Sequence, residues 1–118
     1  MKTDNVLKDK SLKFGIRIAK LSKHFIGRTT IAEHPLFTQI LKSGTSIGAN
    51  IRESEFGESK DDFKHKLKIA LKEANETEYW IDILHESNYL DDSQYESIIV
   101  DCKELIKLLT ASVNTLNK

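Results

Sequence analysis

The stretch Thr45-Ser46-Ile47-Gly48-Ala49-Asn50-Ile51-Arg52-Glu53 decides how this chain folds. Its isoleucines stand four residues apart, which is the spacing of one helix face, among residues that are small or polar. The face beside them carries Ser43, Ser46, Asn50 and Glu53. Small side chains let a neighbouring backbone come close, and buried polar groups need hydrogen-bond partners. The stretch therefore predicts a helix packed tightly among other helices.

Working outward from this stretch, four amphipathic helices are predicted, and most of their ends carry recognisable signals. Gly27 ends the first helix, and Asn88 ends the third in a left-handed conformation. Ser59-Lys60-Asp61-Asp62 and the pair Asp91 and Gln94 read as capping boxes that start the third and fourth helices. The predicted helices run from Asn5 to Phe25, from Pro35 to about Phe56, from the cap Ser59 to about Glu86, and onward from about Asp91.

Each predicted helix carries one apolar stripe, and the third is the most regular, with a 4-3 alternation over three heptads. The stripe residues are Leu7, Phe14, Ile18, Leu21 and Phe25; Leu36, Ile40, Gly44, Ile47 and Ile51; Phe63, Leu67, Ala70, Ala74, Thr77, Ile81 and Leu84; and Tyr95, Ile98, Cys102, Leu105, Leu109 and Leu116. Four such helices with short connectors predict an all-α, antiparallel up-down-up-down bundle, with residues 1–118 as a single domain.

The composition agrees with a helical protein of the cytoplasm: 39% of the residues are apolar and 31% are charged. Cys102 is the lone cysteine, so an internal disulfide is impossible and a reducing cytosol is the expected compartment. The N-terminal residues lack the apolar region of a signal peptide, and no apolar run approaches the ~20 residues of a membrane span.

The third and fourth helices carry more apolar residues than one stripe requires, and part of this surplus follows from the wide buried face of a bundle helix. An aromatic pair with isoleucines on a secondary face is also typical of an oligomer interface. We therefore expect self-association. The surplus residues are Ile69, Tyr79, Trp80, Ile83, Ile99, Ile106 and Leu108.

The net charge is zero, but the first 30 residues hold eight Lys/Arg and only two Asp. Most of these cations lie on one face of the first helix and its extension: Lys10, Lys13, Arg17, Lys20, Lys23 and Arg28. Three interpretations stay open. The face is solvated, it pairs with the acidic stretch 73–104 of the same or a neighbouring subunit, or it binds nucleic acid.

The small-polar face of the second helix also has two interpretations. Ser46, Asn50 and Glu53 form a ligand site, or the small residues pack closely while Asn50 and Glu53 bond to polar groups of the third helix. Those groups would be Lys68, Lys72 or Glu73. Packing is favoured, because no nucleophile and base complete a catalytic set.

Candidates for metal binding and nucleophilic catalysis are weak. Asp62-x-x-His65 and Asp82-x-x-His85 have ligand spacing, but both pairs lie on one helix, about 30 Å apart at helical rise, beside the core stripe. Cys102 occupies a core position, where a small apolar group is the usual role. We therefore expect no metal, no cofactor and no enzymatic activity.

Ser43 to Glu53, Ser59 to Phe63 and Ile69 to Trp80 together resemble the four-helix bundle family of proteins encoded in intervening sequences of 23S rRNA genes. They are also similar to the accessory variability proteins of diversity-generating retroelements. The resemblance implies a ring-like homopentamer, without an established biochemical activity for most members. The retroelement relatives are basic and bind nucleic acid and a reverse transcriptase. This chain departs from them in its neutral charge, and from many members in carrying Ser54 where they have Gly.

The sequence thus predicts a non-enzymatic oligomeric bundle of unestablished biochemical role, which binds RNA or other nucleic acid through the basic face of the first helix. The alternative is a protein-interaction scaffold with no nucleic-acid role, in which the same face pairs with acidic surface.

Overall fold

The computed structural model describes residues 2–3 and 5–118, and in these residues it contains four α-helices, one 3-10 turn and no strand. The helices are α1 (Asn5–Ile26), α2 (His34–Ser54), α3 (Lys60–Glu86) and α4 (Asp92–Leu116), and the 3-10 turn is Ile31–Glu33. The predicted all-α class is confirmed, and α2 ends two residues earlier than expected. No helix in the described part of the chain is long and apolar enough to cross a membrane.

The ends of the helices follow the local chemistry. The capping box of Asp91 and Gln94 is confirmed, because each side chain accepts a hydrogen bond from the other residue's backbone N–H, at 2.8 and 2.9 Å. Asn88 has a φ of 67°, as a left-handed helix stop requires. At α3 only half of the predicted box forms. Ser59 accepts from the Asp62 N–H at 3.1 Å, but the Asp62 carboxylate accepts from the N–H of Glu58.

Neighbouring helices run antiparallel, because contacts later in one helix meet residues earlier in the next: Glu53 of α2 contacts Lys66 of α3, and Asp82 of α3 contacts Tyr95 of α4. The hydroxyls of Ser43 in α2 and Thr77 in α3 lie 2.9 Å apart, and Cys102 of α4 lies against the carbonyl of Ala74. α1 and α4 pack less closely than the pairs that follow each other in the chain. Their boundary, the α1–α4 seam, is spanned by charged side chains, among them Arg17, which reaches Ser97 and Asp101.

The predicted apolar stripes form the core. All seven predicted residues of the α3 stripe are buried, from Phe63 to Leu84. Leu36 was chosen for the α2 stripe, but it is only half-buried, whereas its neighbour Phe37 is fully buried. Phe37 stacks on Phe25 at 5.1 Å and meets Tyr89 edge-on at 5.2 Å. An aromatic cluster therefore closes the end of the bundle where the first and third connectors lie.

Close helix approach depends on glycine at one core position. A Cβ on Gly44 would lie 2.8 and 2.9 Å from the γ-carbons of Ile18, which is fully buried. Since Ile18 is β-branched and has little freedom at χ1, it cannot move aside cheaply. The prediction that Gly44 fills the gap in the α2 stripe is confirmed, and α1 packs directly over it.

Candidate functional site

Half of the six cations predicted for the basic face of α1 are engaged with acidic side chains. The Lys10 ammonium lies 2.8 Å from a carboxylate oxygen of Glu104, and this hydrogen bond raises the pKa of Lys10. Arg17 contacts Asp101 at 2.9 Å and donates to the backbone and hydroxyl oxygens of Ser97 at 3.1 and 2.7 Å. Both acids belong to the stretch 73–104, so the interpretation of pairing within one subunit is confirmed for these two cations.

The remaining cations of that face divide into two groups. Lys13 pairs with Asp9 one turn earlier at 3.0 Å, and Arg28 donates to the carbonyl of His24 at 3.1 Å. Lys20 and Lys23 are exposed and form no ion pair within residues 2–3 and 5–118. The free positive charge of α1 is therefore concentrated in its C-terminal half. Whether any of these residues binds nucleic acid stays a prediction.

The small-polar face of α2 is satisfied mostly within its own helix. Ser46 donates to the Lys42 carbonyl at 2.6 Å, and the Asn50 amide donates to the Ser46 carbonyl at 2.8 Å. Asn50 was expected to bond across to α3, and in this respect the expectation was wrong. Glu53 does reach α3, but its partner is Lys66 at 3.1 Å.

The reason lies in the register of α2 against α3. Buried Ser43 lies opposite Thr77, whose hydroxyl also contacts the Glu73 carbonyl at 2.7 Å. This register places Lys66 beside Glu53, while Lys68 and Lys72 are exposed. The Ser43–Thr77 pair, and not Asn50, is thus the buried polar contact between the two helices, and it favours one register. Thr77 had been assigned only to the core.

Both residues of the Asp82-x-x-His85 pair contact side chains of α4. The Asp82 carboxylate accepts from the Tyr95 hydroxyl at 2.8 Å, which is the main reason that the pKa of Tyr95 rises to about 12. His85 contacts Asp92 at 2.8 Å and stacks on the Tyr95 ring at 4.1 Å. In the described residues no group of three or more His, Cys, Asp or Glu side chains is placed to hold a metal ion.

Cys102 is fully buried, and its thiol lies 3.4 Å from the Ala74 carbonyl. Burial raises the pKa of this thiol to about 12. Because the thiolate is the reactive form, this shift disfavours nucleophilic chemistry at Cys102, whose predicted place in the core stripe is confirmed.

The expected oligomer face on α3 and α4 is mostly used by the bundle itself. Ile99 is buried, and Trp80, Ile106 and Leu108 pack partly buried against the core. Tyr79 is 56% exposed, and Ile69 and Ile83 are half-buried. Several of the surplus residues are thus covered by the bundle's own helices, because the buried faces of α3 and α4 are wider than one stripe.

An apolar surface that the sequence did not predict lies between α1 and α2. It is a groove of about 620 Å³. Leu12 and Ile16 of α1 border it at 49% and 46% exposed, and Phe56, just after α2, borders it at 84% exposed. Small residues of both helices also line it: Gly15, Ala19, Gly48 and Ala49. We call this surface the α1–α2 groove.

A sequence signal for the α1–α2 groove did exist. Leu12, Ile16 and Ala19 recur at spacings of four and three, off the main stripe of α1. On α2, the small residues of the opening stretch supply the other wall. A Cβ on Gly48 would lie 3.3 Å from the Ser11 hydroxyl, so the two helices lie close beneath the groove.

These features define an antiparallel four-helix bundle protein with an apolar groove between its first two helices. The match of a family model to residues 3–111 identifies the particular family: the chain belongs to the 23S rRNA-intervening sequence proteins. The predicted family is thereby confirmed, while the likeness to retroelement accessory proteins stays a prediction.

A crystal structure at 1.70 Å shows a similar fold. It is that of a protein with unknown function from the S23 ribosomal protein family, from Bacteroides thetaiotaomicron VPI-5482. The two chains are 50% identical, with a TM-score of 0.84, and the match covers 91% of this chain and 97% of the other. No curated protein matches this chain.

Proposed function

We propose that this protein is a non-enzymatic, self-assembling interaction module of the cytoplasm and that the α1–α2 groove is its principal interface. The observation that carries the proposal is the contiguous exposure of Leu12, Ile16 and Phe56 around one groove. Single exposed apolar side chains are normal on protein surfaces, but a grooved cluster of them is typical of a protein interaction site.

The gain from covering the groove is substantial. Full burial of a large apolar side chain contributes about 1.5–3 kcal/mol. Leu12 and Ile16 are already about half covered, so a partner would add about 1 kcal/mol for each and about 2 kcal/mol for Phe56. A micromolar complex corresponds to about 8 kcal/mol, so the groove supplies the apolar centre of an interface that extends beyond it.

A ring-like homopentamer is the assembly that we propose, on the strength of the resemblance to the family. The structural relative is itself of unknown function and adds no activity to the argument. The oligomer and the scaffold role are one proposal, because a ring of bundles repeats each surface and presents it several times to a partner.

The test is the oligomeric state of purified protein by size-exclusion chromatography with light scattering. We expect the wild type to assemble and Ile16→Glu to be monomeric, because a charge in the groove would be desolvated on assembly. Val100→Glu is the matched control, since Val100 is 58% exposed on α4, away from the groove. A wild type that stays monomeric at every concentration refutes the proposal, and helicity by circular dichroism shows that the variants are folded.

Nucleic-acid binding is the second candidate, and one observation favours it: Lys20 and Lys23 are exposed without an ion pair in the described part of the chain. In a ring these charges would be repeated, and repeated cations attract a polyanion. A reverse transcriptase as a partner rests on the resemblance to retroelement accessory proteins alone.

This candidate is tested by RNA and DNA binding across a salt series, together with the 260/280 nm absorbance ratio before and after a salt wash. Lys20→Glu with Lys23→Glu should abolish binding and leave assembly intact. Lys60→Glu with Lys68→Glu is the matched control, since both lysines are exposed on α3. Absence of binding by the wild type at low salt refutes it.

A further inference from the structure

A second surface with apolar side chains lies on α3, where Tyr79 is exposed and Ile83 is half-buried. Glu76, Tyr79, Ile83 and Glu86 recur at spacings of three, four and three, so they share one helix face. Tyr79 is 56% exposed, and its ring meets that of Trp80 edge-on at 5.1 Å. We call these four residues the α3 ridge. The bundle leaves the Tyr79 side chain without a covering helix.

The α3 ridge and the α1–α2 groove lie on different sides of the molecule. α3 packs against α2 and α4, whereas α1 lies diagonally across the core from it. The ridge is therefore on the outer face of a helix that takes no part in the groove. One copy cannot bring these two surfaces together, but two copies can.

The net charges of the two surfaces are opposite in sign. Among the charged residues that line the groove, Lys8 pairs with Glu55 and Glu53 pairs with Lys66. Arg52 also lines the groove and has no ion pair in residues 2–3 and 5–118, and exposed Lys23 continues the groove face of α1 one turn beyond Ala19. The ridge has exposed Glu76 and Glu86 at its two ends. A contact between two grooves would bring like charges together, which is unfavourable, while groove against ridge pairs opposite charges.

The two surfaces also agree in shape and length. The groove is concave, and its α1 wall from Lys8 to Ala19 spans about 16 Å at helical rise. The ridge is convex, and from Glu76 to Glu86 it spans about 15 Å. A groove facing another groove would leave its apolar walls uncovered, whereas Tyr79 and Ile83 supply side chains to fill it.

We propose that the α1–α2 groove of one copy takes the α3 ridge of the next copy, in a head-to-tail contact. This inference rests on the proposed self-assembly and names the surface that enters the groove. Because each copy uses two different surfaces, the contact is heterologous and generates a closed ring when the rotation between copies permits it.

Cross-linking between two single-cysteine variants tests the contact directly. Cys102 is buried, so the wild type has no accessible thiol to react. Ile16→Cys and Tyr79→Cys proteins, mixed, allowed to exchange subunits and treated with a short thiol cross-linker, should give a covalent dimer. Neither protein alone should do so, because the groove cysteine then faces Tyr79 and the ridge cysteine faces Ile16. A dimer from Ile16→Cys alone at equal yield overturns the proposal.

Assembly of a ridge variant is the second measurement. Tyr79→Glu should lower the assembled mass to that of a monomer, whereas the control Val100→Glu should not. If the wild type assembles, Ile16→Glu is monomeric and Tyr79→Glu still assembles, then the ridge is not the occupant and the proposed self-assembly stands. If the wild type does not assemble, the proposed function itself fails.

Discussion

Replacing Gly44 by alanine should reveal how tightly α1 packs on α2. The new Cβ would lie 2.8 and 2.9 Å from the γ-carbons of Ile18 and 3.1 Å from its Cβ. In an exposed helix interior, Gly→Ala stabilises by about 0.5–1 kcal/mol, because glycine loses more backbone freedom on folding. Overpacking of a dense core costs about 1–3 kcal/mol. At Gly44 the second effect wins, so the variant should be less stable than the wild type.

Gly15→Ala is the matched control, because Gly15 also lies inside a helix and its added Cβ would meet no neighbour closer than 3.9 Å. The gain in helix propensity is the same at both positions, so the difference isolates the packing cost. We expect the free energy of unfolding of Gly44→Ala to lie about 1–3 kcal/mol below that of Gly15→Ala. Urea denaturation at one protein concentration, with light scattering to show equal oligomeric state, measures it.

A double-mutant cycle identifies the neighbour. Ile18→Ala alone should cost about 2–5 kcal/mol, since Ile18 is fully buried. In the Gly44→Ala background it should cost at least about 1 kcal/mol less, because the γ-carbons that clash are gone. Equal stability of Gly44→Ala and Gly15→Ala, or strict additivity in the cycle, would refute the reasoning.

Three further predictions concern contacts between and at the ends of helices. Thr77→Val should lower the free energy of unfolding by about 1–3 kcal/mol, because the buried Ser43 hydroxyl would keep only a 3.4 Å contact to the Ile40 carbonyl. The loss should be smaller in a Ser43→Ala background, where that hydroxyl is absent. Asp91→Ala should cost about 1 kcal/mol through loss of the α4 cap, whereas Asp91→Ser should keep most of it. The Tyr89 hydroxyl donates a hydrogen bond of 2.5 Å to the Glu33 carboxylate, and this bond is the main reason that the pKa of Glu33 is lowered. The ionised Glu33 therefore stabilises the fold above its ordinary pKa, and this stabilisation is lost as the pH falls through its pKa in the folded protein. The Tm of Tyr89→Phe should consequently fall less than that of the wild type on acidification from about pH 5 to about pH 3.

The sequence alone determined the helices and most of the core. The 4-3 alternation of α3 predicted all of its buried residues, and Asn88 and Asp91 marked the third connector, because helix periodicity and capping act over a few residues of chain. Phe37 was not predicted as a core residue, because the adjacent Leu36 fits the same apolar stripe of α2. The packing of Phe37 against Tyr89 shows which of the two is buried.

Tertiary structure decided which surfaces are free. Lys10 and Lys20 look alike on the predicted face of α1, but Lys10 has a partner 94 positions away on α4 and Lys20 has none in the described residues. The α1–α2 groove likewise needs the register of two helices, because its walls come from Ile16 and Gly48, which are distant in sequence. Local periodicity fixes which face of a helix is apolar. The packing of one helix on another decides how much of that face is left for a partner.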